Sequence, residues 1–382
     1  MDWGGWCGCG VAIALLAASI PAQPPGSPSR DYGRIARSVS KENLTQDLAR
    51  IAGFGSRLAG SDGERKTLEF AEARLRELGF QNIRREAFTI TVPQPESVAA
   101  LDLGSEVPTT LYPLWPNLSR TSTSDLSGRL IYLGAGRPSD LKGKVLRGAL
   151  AVIDFDSEVR WQTLFRLGVK AVIYLEPDFA TRFQFEDKFS AAPHNAPRFW
   201  LPAKAASRVL PAAAEERVAG LRCRQTWVVK ETYNLLADLP GADPRAKHER
   251  IVLAAYADSM SVVPGLSPGA DASSGLSALL ELARYFKENP PRRPLTFLVQ
   301  SGHGMALKGA REFVQRRIET DRQSLLCALT LDLSTGNSGL GSFARGWFYE
   351  VRPEATDEVR ALSRQLRAYA ERIAPHPGVS DP

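Results

Sequence analysis

Polar residues follow three short apolar segments in the second half of the chain. Residues 251–255 run into Tyr256 and Asp258, a second apolar segment ends just before His303, and a third ends at Asp332. Imidazole nitrogens and carboxylate oxygens bind divalent metal ions, and they also transfer protons in hydrolytic sites. The types and the spacing of these residues therefore indicate a candidate site for metal-assisted or acid–base chemistry.

Another carboxylate lies in a glycine- and serine-rich loop at residues 267–275, just before a helical pattern. Asp271 is a candidate metal ligand in this loop, as Asp332 is after its strand. Ser273 and Ser274 follow Asp271, and serine is also a residue type of catalytic nucleophiles. No His–Asp pair can be assigned to either serine, so we expect both to cap the start of the helix rather than to act as nucleophiles.

The apolar segments predict the elements that position these groups. Residues 233–241, 251–255, 295–300 and 328–332 have the length and composition of buried strands. Apolar residues at helical spacing separate the strands, at Leu276, Leu279, Leu280, Ala283 and Phe286 and again at Leu307, Ala310, Phe313 and Val314. This alternation predicts an α/β fold in which polar strand ends meet at one edge of an open sheet.

The pattern changes between Pro93 and Tyr233, where short strand signals replace the alternation of strands and helices. This change is typical of an inserted β-rich domain whose two ends lie close together. We therefore divide the chain into residues 1–30, 31–93, 94–232 and 233–382. The second and fourth segments form one domain, which the third segment interrupts.

The composition is that of a folded globular protein. The chain has 382 residues, of which 43% are hydrophobic and 24% are charged, so two domains with separate cores are expected. The net formal charge is +6, and the lysines and arginines are spread along the chain without a cluster of basic and aromatic residues. We expect no nucleic-acid partner.

The N-terminus resembles a targeting segment. Residues 11–20 form an apolar run that is short for a membrane span, and residues 21–29 are rich in proline, glycine and serine. We expect export to a secreted, periplasmic or other extracytoplasmic location. The alternative is an uncleaved membrane anchor that begins near Trp3, because the first ten residues contain no lysine or arginine.

Taken together, these segments resemble the zinc-dependent aminopeptidases of metallopeptidase family 28. Residues 55–60 (Gly-Ser-Arg-Leu-Ala-Gly) and the helix after them are similar to the opening segment of that family, and residues 234–241 are similar to its strand and turn after an insertion. Residues 126–175 resemble the protease-associated domain that is often inserted there. The resemblance implies a three-layer α/β/α fold with a mixed sheet and a protease-associated-like insertion.

The family uses two zinc ions that are bridged by an aspartate, each with a terminal histidine and a terminal carboxylate. By this resemblance, Asp271 matches the bridging aspartate, Asp332 matches a later aspartate ligand, and Asp258 matches the aspartate that orients a zinc-bound histidine. Ser380-Asp381 is similar to the pair that precedes the family's last histidine, but Pro382 ends the printed sequence at that point.

Other positions differ from the family's pattern. Tyr256 stands where the first histidine ligand is expected. The family's Gly-Glu-Glu motif, which holds the general base and then a ligand, reads Gly302-His303-Gly304. A tyrosine phenol, with a pKa of ~10, stays protonated at neutral pH, and Gly304 offers no side chain. The resemblance therefore implies a degenerate site with little or no standard peptidase activity.

Two hypotheses remain open from the sequence. In the first, the chain is a peptidase-fold protein that binds a peptide or a protein ligand in the former active-site cleft. In the second, it is an active metal-dependent hydrolase of peptide or amide bonds, with a mononuclear site of Asp271, Asp332 and His303. We expect at most one zinc ion, or none. His303 is a candidate base or ligand, and the alternative is a loop histidine without a role.

Overall fold

A computed structural model describes most of the chain between residues 35 and 333. The described residues are 35, 37–93, 99–114, 124–178, 184, 187–188, 196–224, 227–259, 263, 266, 270–320 and 325–333, without the side chains of 270–272 and 318–320. The predicted targeting segment at 1–30 and the Ser380-Asp381 pair lie outside them. Within this described part, no helix combines the length and the apolar composition that a membrane span needs.

The helices and strands fall into three parts along the chain. The first part contains helices α1 (Lys41–Ala52) and α2 (Asp62–Glu77) and strand β1 (Ile83–Pro93). The middle part contains β2 (Ala99–Asp102), β3 (Thr109–Pro113), β4 (Ser124–Tyr132), α3 (Pro138–Leu141), β5 (Leu150–Asp154), α4 (Arg160–Arg166), β6 (Ala171–Leu175), β7 (Arg198–Leu201), α5 (Ala203–Ala214) and β8 (Val218–Cys223). The last part contains β9 (Trp227–Leu239), a 3-10 turn (Pro244–Ala246), β10 (Arg250–Tyr256), α6 (Ala270–Glu288), β11 (Leu295–Gln300), α7 (Lys308–Thr320) and β12 (Leu325–Thr330).

Strands from the first and last parts form one mixed sheet, in the order β1-β9-β11-β10-β12 among the described residues. Strand β9 runs antiparallel to both of its neighbours, β1 and β11. Strand β10 runs parallel to β11 and to β12. The carboxyl ends of β10, β11 and β12 therefore meet at the same edge of the sheet, as the sequence predicted.

Alternate residues of the sheet enter two separate cores. On one face, α1, α2 and α6 pack on strand residues such as Leu235, Leu253 and Phe297. On the other face, Leu236, Val252, Ala254 and Leu298 pack against Phe313 of α7. Helices on both faces of a mixed sheet give the predicted three-layer α/β/α architecture.

Local sequence explains where the helices begin. The hydroxyl of Ser40 accepts a hydrogen bond from the backbone N–H of Asn43, and Ser61 accepts one from that of Glu64. Serine at these positions satisfies backbone donors that a helix leaves open. Gly79, with φ +80°, follows α2 in a left-handed conformation that suits glycine.

The middle strands close on themselves in the order β2-β3-β7-β6-β5-β4-β8. This barrel lies in the chain between β1 and β9, so it is an insertion into the sheet domain. Strands β4, β5, β6 and β7 run parallel to one another, and the remaining pairs are antiparallel. The insertion is therefore rich in strands, while its likeness to a protease-associated domain and the predicted domain limits stay predictions.

Candidate functional site

The candidate site lies at the edge where three parallel strands end. Tyr256 is the last residue of β10, Gln300 is the last residue of β11, and Asp332 lies two residues after β12. Pairing of Tyr256 with Gln300 and of Ala254 with Thr330 places these strand ends side by side. The local reason is that β10 lies between β11 and β12 and is parallel to both, so its terminal side chains face residues from either side.

Tyr256 contacts one residue from each of the two neighbouring strand ends. Its hydroxyl donates a hydrogen bond to Oδ1 of Asp332. Its ring stacks on the imidazole of His303, with ring centroids 4.0 Å apart and an interplanar angle of 19°. Tyr256 itself is buried, His303 is half-buried and Asp332 is exposed. The phenol therefore connects the carboxylate and the imidazole that the sequence proposed as site residues.

Asp258 supports the loop that carries His303. Its two carboxylate oxygens accept hydrogen bonds from the backbone N–H groups of His303 (3.0 Å) and Gly304 (3.1 Å). Burial raises the pKa of Asp258, although His303 and these N–H groups favour the charged form. The structure thus gives Asp258 contacts to loop backbone, which is one of the roles expected of an aspartate at a strand end.

Arg57 is a fully buried cation behind the site. Its guanidinium donates a hydrogen bond to Oγ of Ser273, and its carbonyl oxygen accepts one from the N–H of Ser259 (2.9 Å). Burial lowers the pKa of Arg57 to about 10, while Asp258 and Tyr256 oppose that change. Arg57 therefore ties the segment before α2 to β10 and α6.

The predicted capping role of Ser273 and Ser274 is wrong. Helix α6 begins at Ala270, so both serines lie inside its first turns rather than before them. Ser273 accepts the bond from Arg57, and its carbonyl oxygen accepts one from Ser277 (3.0 Å). The glycine-rich stretch before α6 had suggested a later helix start.

The loop at residues 301–309 has an unusual backbone. Gly302, Ala306 and Leu307 have φ values of 68°, 52° and 56°, in the left-handed region. Such a conformation costs a residue other than glycine about 1–3 kcal/mol, so the surroundings must hold it. The amide of Asn234 does so at both ends, because its Oδ1 accepts from the N–H of Ser301 (3.2 Å) and its Nδ2 donates to the oxygen of Gly309 (2.8 Å).

Glu64 is a buried carboxyl group that sequence reasoning missed. Its Oε1 contacts the hydroxyls of Thr232 (2.9 Å) and Ser301, and its Oε2 accepts the N–H of Gly60 (2.8 Å). Burial, and then the nearby charge of Asp258, raise the pKa of Glu64 to about 7. The Ser61-to-Glu64 spacing could have identified a helix start, but it could not reveal the contact with Ser301.

Asp271 lies in the first turn of α6, and its side chain lies outside the description. Helix α6 passes close to the segment after β12, because a Cβ on Gly275 would lie 2.0 Å from the carbonyl oxygen of Leu331. No three histidine, cysteine, aspartate or glutamate side chains converge as a metal site within the described part. The mononuclear site of Asp271, Asp332 and His303 therefore stays a prediction.

Two positions where the resemblance to the zinc aminopeptidases expects ligands hold Tyr256 and Gly304. The hydroxyl of Tyr256 bonds to the Asp332 carboxylate, which was expected to be a ligand, and the Tyr256 ring occupies the expected position of a histidine. Gly304 has no donor atom besides its backbone, and its N–H is bonded to Asp258. Two terminal ligand positions therefore offer a neutral phenol and no side chain, which is a poor donor set for zinc.

The sequence of the last part matches a known peptidase family. The family model described as Peptidase family M28 matches residues 234–380, which confirms the predicted resemblance to the zinc aminopeptidases. A vacuolar membrane protease of Coprinopsis cinerea is 32% identical over 108 residues. That match covers 25% of this chain and 10% of the length of the relative, so it concerns one segment only.

Solved structures agree on the fold. A peptidase M28 precursor from Shewanella amazonensis has a TM-score of 0.53 at 16% identity, with 87% of this chain and 84% of that chain covered. A zinc aminopeptidase from Bacillus subtilis has a TM-score of 0.51 at 20% identity, with 72% and 64% covered. The chain thus has the zinc aminopeptidase type of α/β fold.

Proposed function

We propose that this chain uses an aminopeptidase-type fold to bind a peptide or protein ligand at the sheet edge, without two-zinc peptide hydrolysis. One observation carries the proposal: Tyr256 stands at the first ligand position, bonded to Asp332 and stacked on His303. A neutral phenol that already occupies the neighbouring carboxylate is a poor zinc ligand. The match to peptidase family M28 supports the fold-level part of this reading.

The residues at the two positions of the family's Gly-Glu-Glu carboxylates also support this proposal. The general-base position holds His303, whose ring is stacked on Tyr256 and whose backbone is bonded to Asp258. The next position is Gly304, so no carboxylate is supplied there. Hydrolysis through one zinc ion on Asp271, Asp332 and His303 is the competing reading, and a metal count separates the two.

The edge offers a ligand two kinds of contact. Asp332 presents an exposed carboxylate, and the rings of Tyr256 and His303 lie beside it as a stacked pair. A carboxylate suits a cationic group, and aromatic rings suit an apolar side chain. This combination favours the amino terminus of a peptide with an apolar first residue.

A pair of matched peptides tests this proposal. We expect a fluorescent peptide with a free amino terminus and leucine first to bind, and its N-acetylated copy to bind at least tenfold more weakly. Asp332→Asn should remove that preference, since the amide keeps an acceptor for Tyr256 but loses the charge. Asp125→Asn is the matched control, because Asp125 is an exposed carboxylate on β4 of the barrel.

Two outcomes would contradict the binding proposal. One is equal affinity for the free and the acetylated peptide, in the parent and in the Asp332→Asn variant. The other is release of free leucine from the peptide at a rate that rises with added zinc. The second outcome would establish a hydrolase and would favour the mononuclear site.

Export is part of the same proposal. The apolar run at 11–20 and the proline-rich residues after it support a targeting segment. The test is N-terminal sequencing of the protein recovered from outside the cytoplasm. We expect a start near residues 21–29. A protein that retains Met1 and sediments with membranes would favour the anchor that begins near Trp3.

A further inference from the structure

Three oxygen atoms behind the site form a closed triangle of contacts. The hydroxyl oxygen of Thr232 lies 2.9 Å from that of Ser301 and 2.9 Å from Oε1 of Glu64. Ser301 also donates its hydroxyl hydrogen to Oε1 of Glu64. All three residues are buried. Two hydroxyl hydrogens can serve two of these contacts, so the third contact needs a hydrogen from another source.

The carboxyl group is the remaining source of that hydrogen. If Thr232 donates to Ser301, and Ser301 donates to Glu64, then a protonated Glu64 can donate to Thr232 and complete the ring. We propose that Glu64 keeps a proton until the pH reaches neutrality and that loss of this proton loosens the loop at residues 301–309. This proposal does not depend on the proposed function, because it concerns the support of the loop and not its ligand.

The charges around Glu64 agree with a neutral carboxyl group. Asp258 after β10 and Tyr233 on β9 interact electrostatically with Glu64, and His303 after β11 and Arg57 before α2 interact with Asp258. Asp258 and Arg57 are both almost fully buried, and their charges balance each other. An ionised Glu64 would add a second buried anion without adding a cation, which is unfavourable in a buried environment. The raised pKa of Glu64, about 7, has burial as its first cause.

Ser301 belongs both to this triangle of oxygen atoms and to the loop at residues 301–309. Ser301 is the first residue of the loop, and its N–H is held by Asn234. The same loop donates the N–H groups of His303 and Gly304 to Asp258. A negative charge on Glu64 would repel Asp258 and would remove one hydrogen bond of the triangle. Both effects weaken the contacts that hold His303 in place.

The direction of the pH dependence follows from proton counts. Between pH ~4.5 and ~7 the folded protein keeps a proton on Glu64 that the unfolded chain has released. The contribution of Glu64 to the free energy of unfolding is therefore fully present below pH ~4.5 and is lost as the pH rises through about 7. The expected change in the folding constant is on the order of a hundredfold, since each pKa unit corresponds to a factor of ten.

Glu64→Gln is the first variant to test, because an amide is neutral at every pH and similar in shape. We expect urea unfolding of the parent to lose stability, relative to this variant, as the pH rises from 4.5 to 7. Glu69→Gln is the matched control on the same helix, since Glu69 is exposed and paired with Arg65, and it should follow the parent. Equal pH profiles for the parent and Glu64→Gln would overturn the proposal.

A loop measurement separates the proposal from a purely global effect. We expect hydrogen exchange of a peptide covering 301–309, corrected for intrinsic pH dependence, to speed up above pH 7 in the parent only. Equal corrected exchange in both proteins would overturn the loop part of the proposal. If Glu64→Gln does not fold, infrared spectroscopy of the parent decides: a protonated-carboxyl band that disappears across pH 7 supports the proposal, and its absence at pH 6 overturns it.

Discussion

At the scale of single residues, the proposed loss of a two-zinc centre rests on Tyr256. Its phenol links Asp332, which follows β12, to the imidazole of His303, which follows β11. We propose that the Tyr256 side chain takes the place of a metal ion that joins groups at this edge in the family's pattern. Tyr256 is therefore expected to stabilise the fold as well as to change the chemistry.

Tyr256→Phe tests the stabilising part of that role. The substitution keeps the stacked ring and removes the hydroxyl that bonds to Asp332, so we expect a loss of about 1 kcal/mol in the free energy of unfolding. Urea denaturation at neutral pH measures the loss. Tyr285→Phe is the control, since no hydrogen bond from the hydroxyl of Tyr285 occurs among the described residues. Equal stability of Tyr256→Phe and the parent would show that the hydroxyl bond contributes nothing.

Some single residues could be predicted from the sequence and others could not. The strand-end positions of Tyr256, Asp258 and Asp332 follow from apolar segments that end in polar residues. The bond between Tyr256 and Asp332 joins residues 76 positions apart, and it depends on which strands are neighbours. Glu64 was missed for the same reason, because its partner Ser301 is 237 positions away.

At the scale of elements, the loop at 301–309 shows how the fold holds a site residue. Asn234 from β9, Asp258 from the end of β10 and the start of α7 all contact this loop. Gly309 allows the start of α7 to lie close to Ser301 and Asn234, because a Cβ there would lie 2.1 Å from the oxygen of Ser301 and 2.6 Å from Oδ1 of Asn234. A side chain at this position would push the loop away from its supports.

Gly309→Ala tests this packing. The added methyl group must displace backbone and the Asn234 amide, so we expect a loss of about 1–3 kcal/mol in the free energy of unfolding. Gly53→Ala is the control, since the nearest atom to its added Cβ would be 3.3 Å away. Thermal unfolding of both variants compares them. A Gly309→Ala protein as stable as the control would mean that the loop adjusts without cost.

The sequence predicted the element types better than their ends. Ser273 and Ser274 were expected to cap the helix that contains Leu276, whereas α6 begins earlier, at Ala270. The predicted strand at 233–241 belongs to the longer β9 (Trp227–Leu239), which pairs with β1 along residues 227–237. Each residue in this pairing has its partner far earlier in the chain, such as Pro93 for Trp227, and periodicity does not reveal such a long-range contact.

At the scale of the whole molecule, the inserted barrel has its own stabilising cluster. Lys188 is fully buried, donates to the oxygen of Glu158 (3.3 Å) and lies over the rings of Phe155 and Tyr174, at 4.8 and 5.3 Å. Its carbonyl oxygen accepts a hydrogen bond from Arg198 (2.7 Å). Burial lowers the pKa of Lys188 to about 8. The aromatic rings therefore stabilise the charged form of Lys188, which burial disfavours.

Because the pKa of Lys188 is lowered, we expect the folded protein to become more stable as the pH rises into the alkaline range. Between pH ~8 and ~10.5 the unfolded chain binds a proton on this side chain that the folded barrel has lost, so stability rises by about 2–3 kcal/mol across that range. Lys188→Met should remove the rise, as followed by tryptophan fluorescence during urea unfolding. Lys247→Met, at an exposed lysine, should keep it. A rise that survives in Lys188→Met would assign the effect to another group.

We propose that this fold no longer assembles a two-zinc centre. Elemental analysis of zinc per chain tests it most directly, on protein purified without chelator or affinity metal, then incubated with zinc and desalted. We expect at most one zinc ion per chain, because Tyr256 and Gly304 stand at two positions where the family resemblance expects zinc ligands. Two zinc ions per chain would contradict the account, since other residues would then have rebuilt the centre.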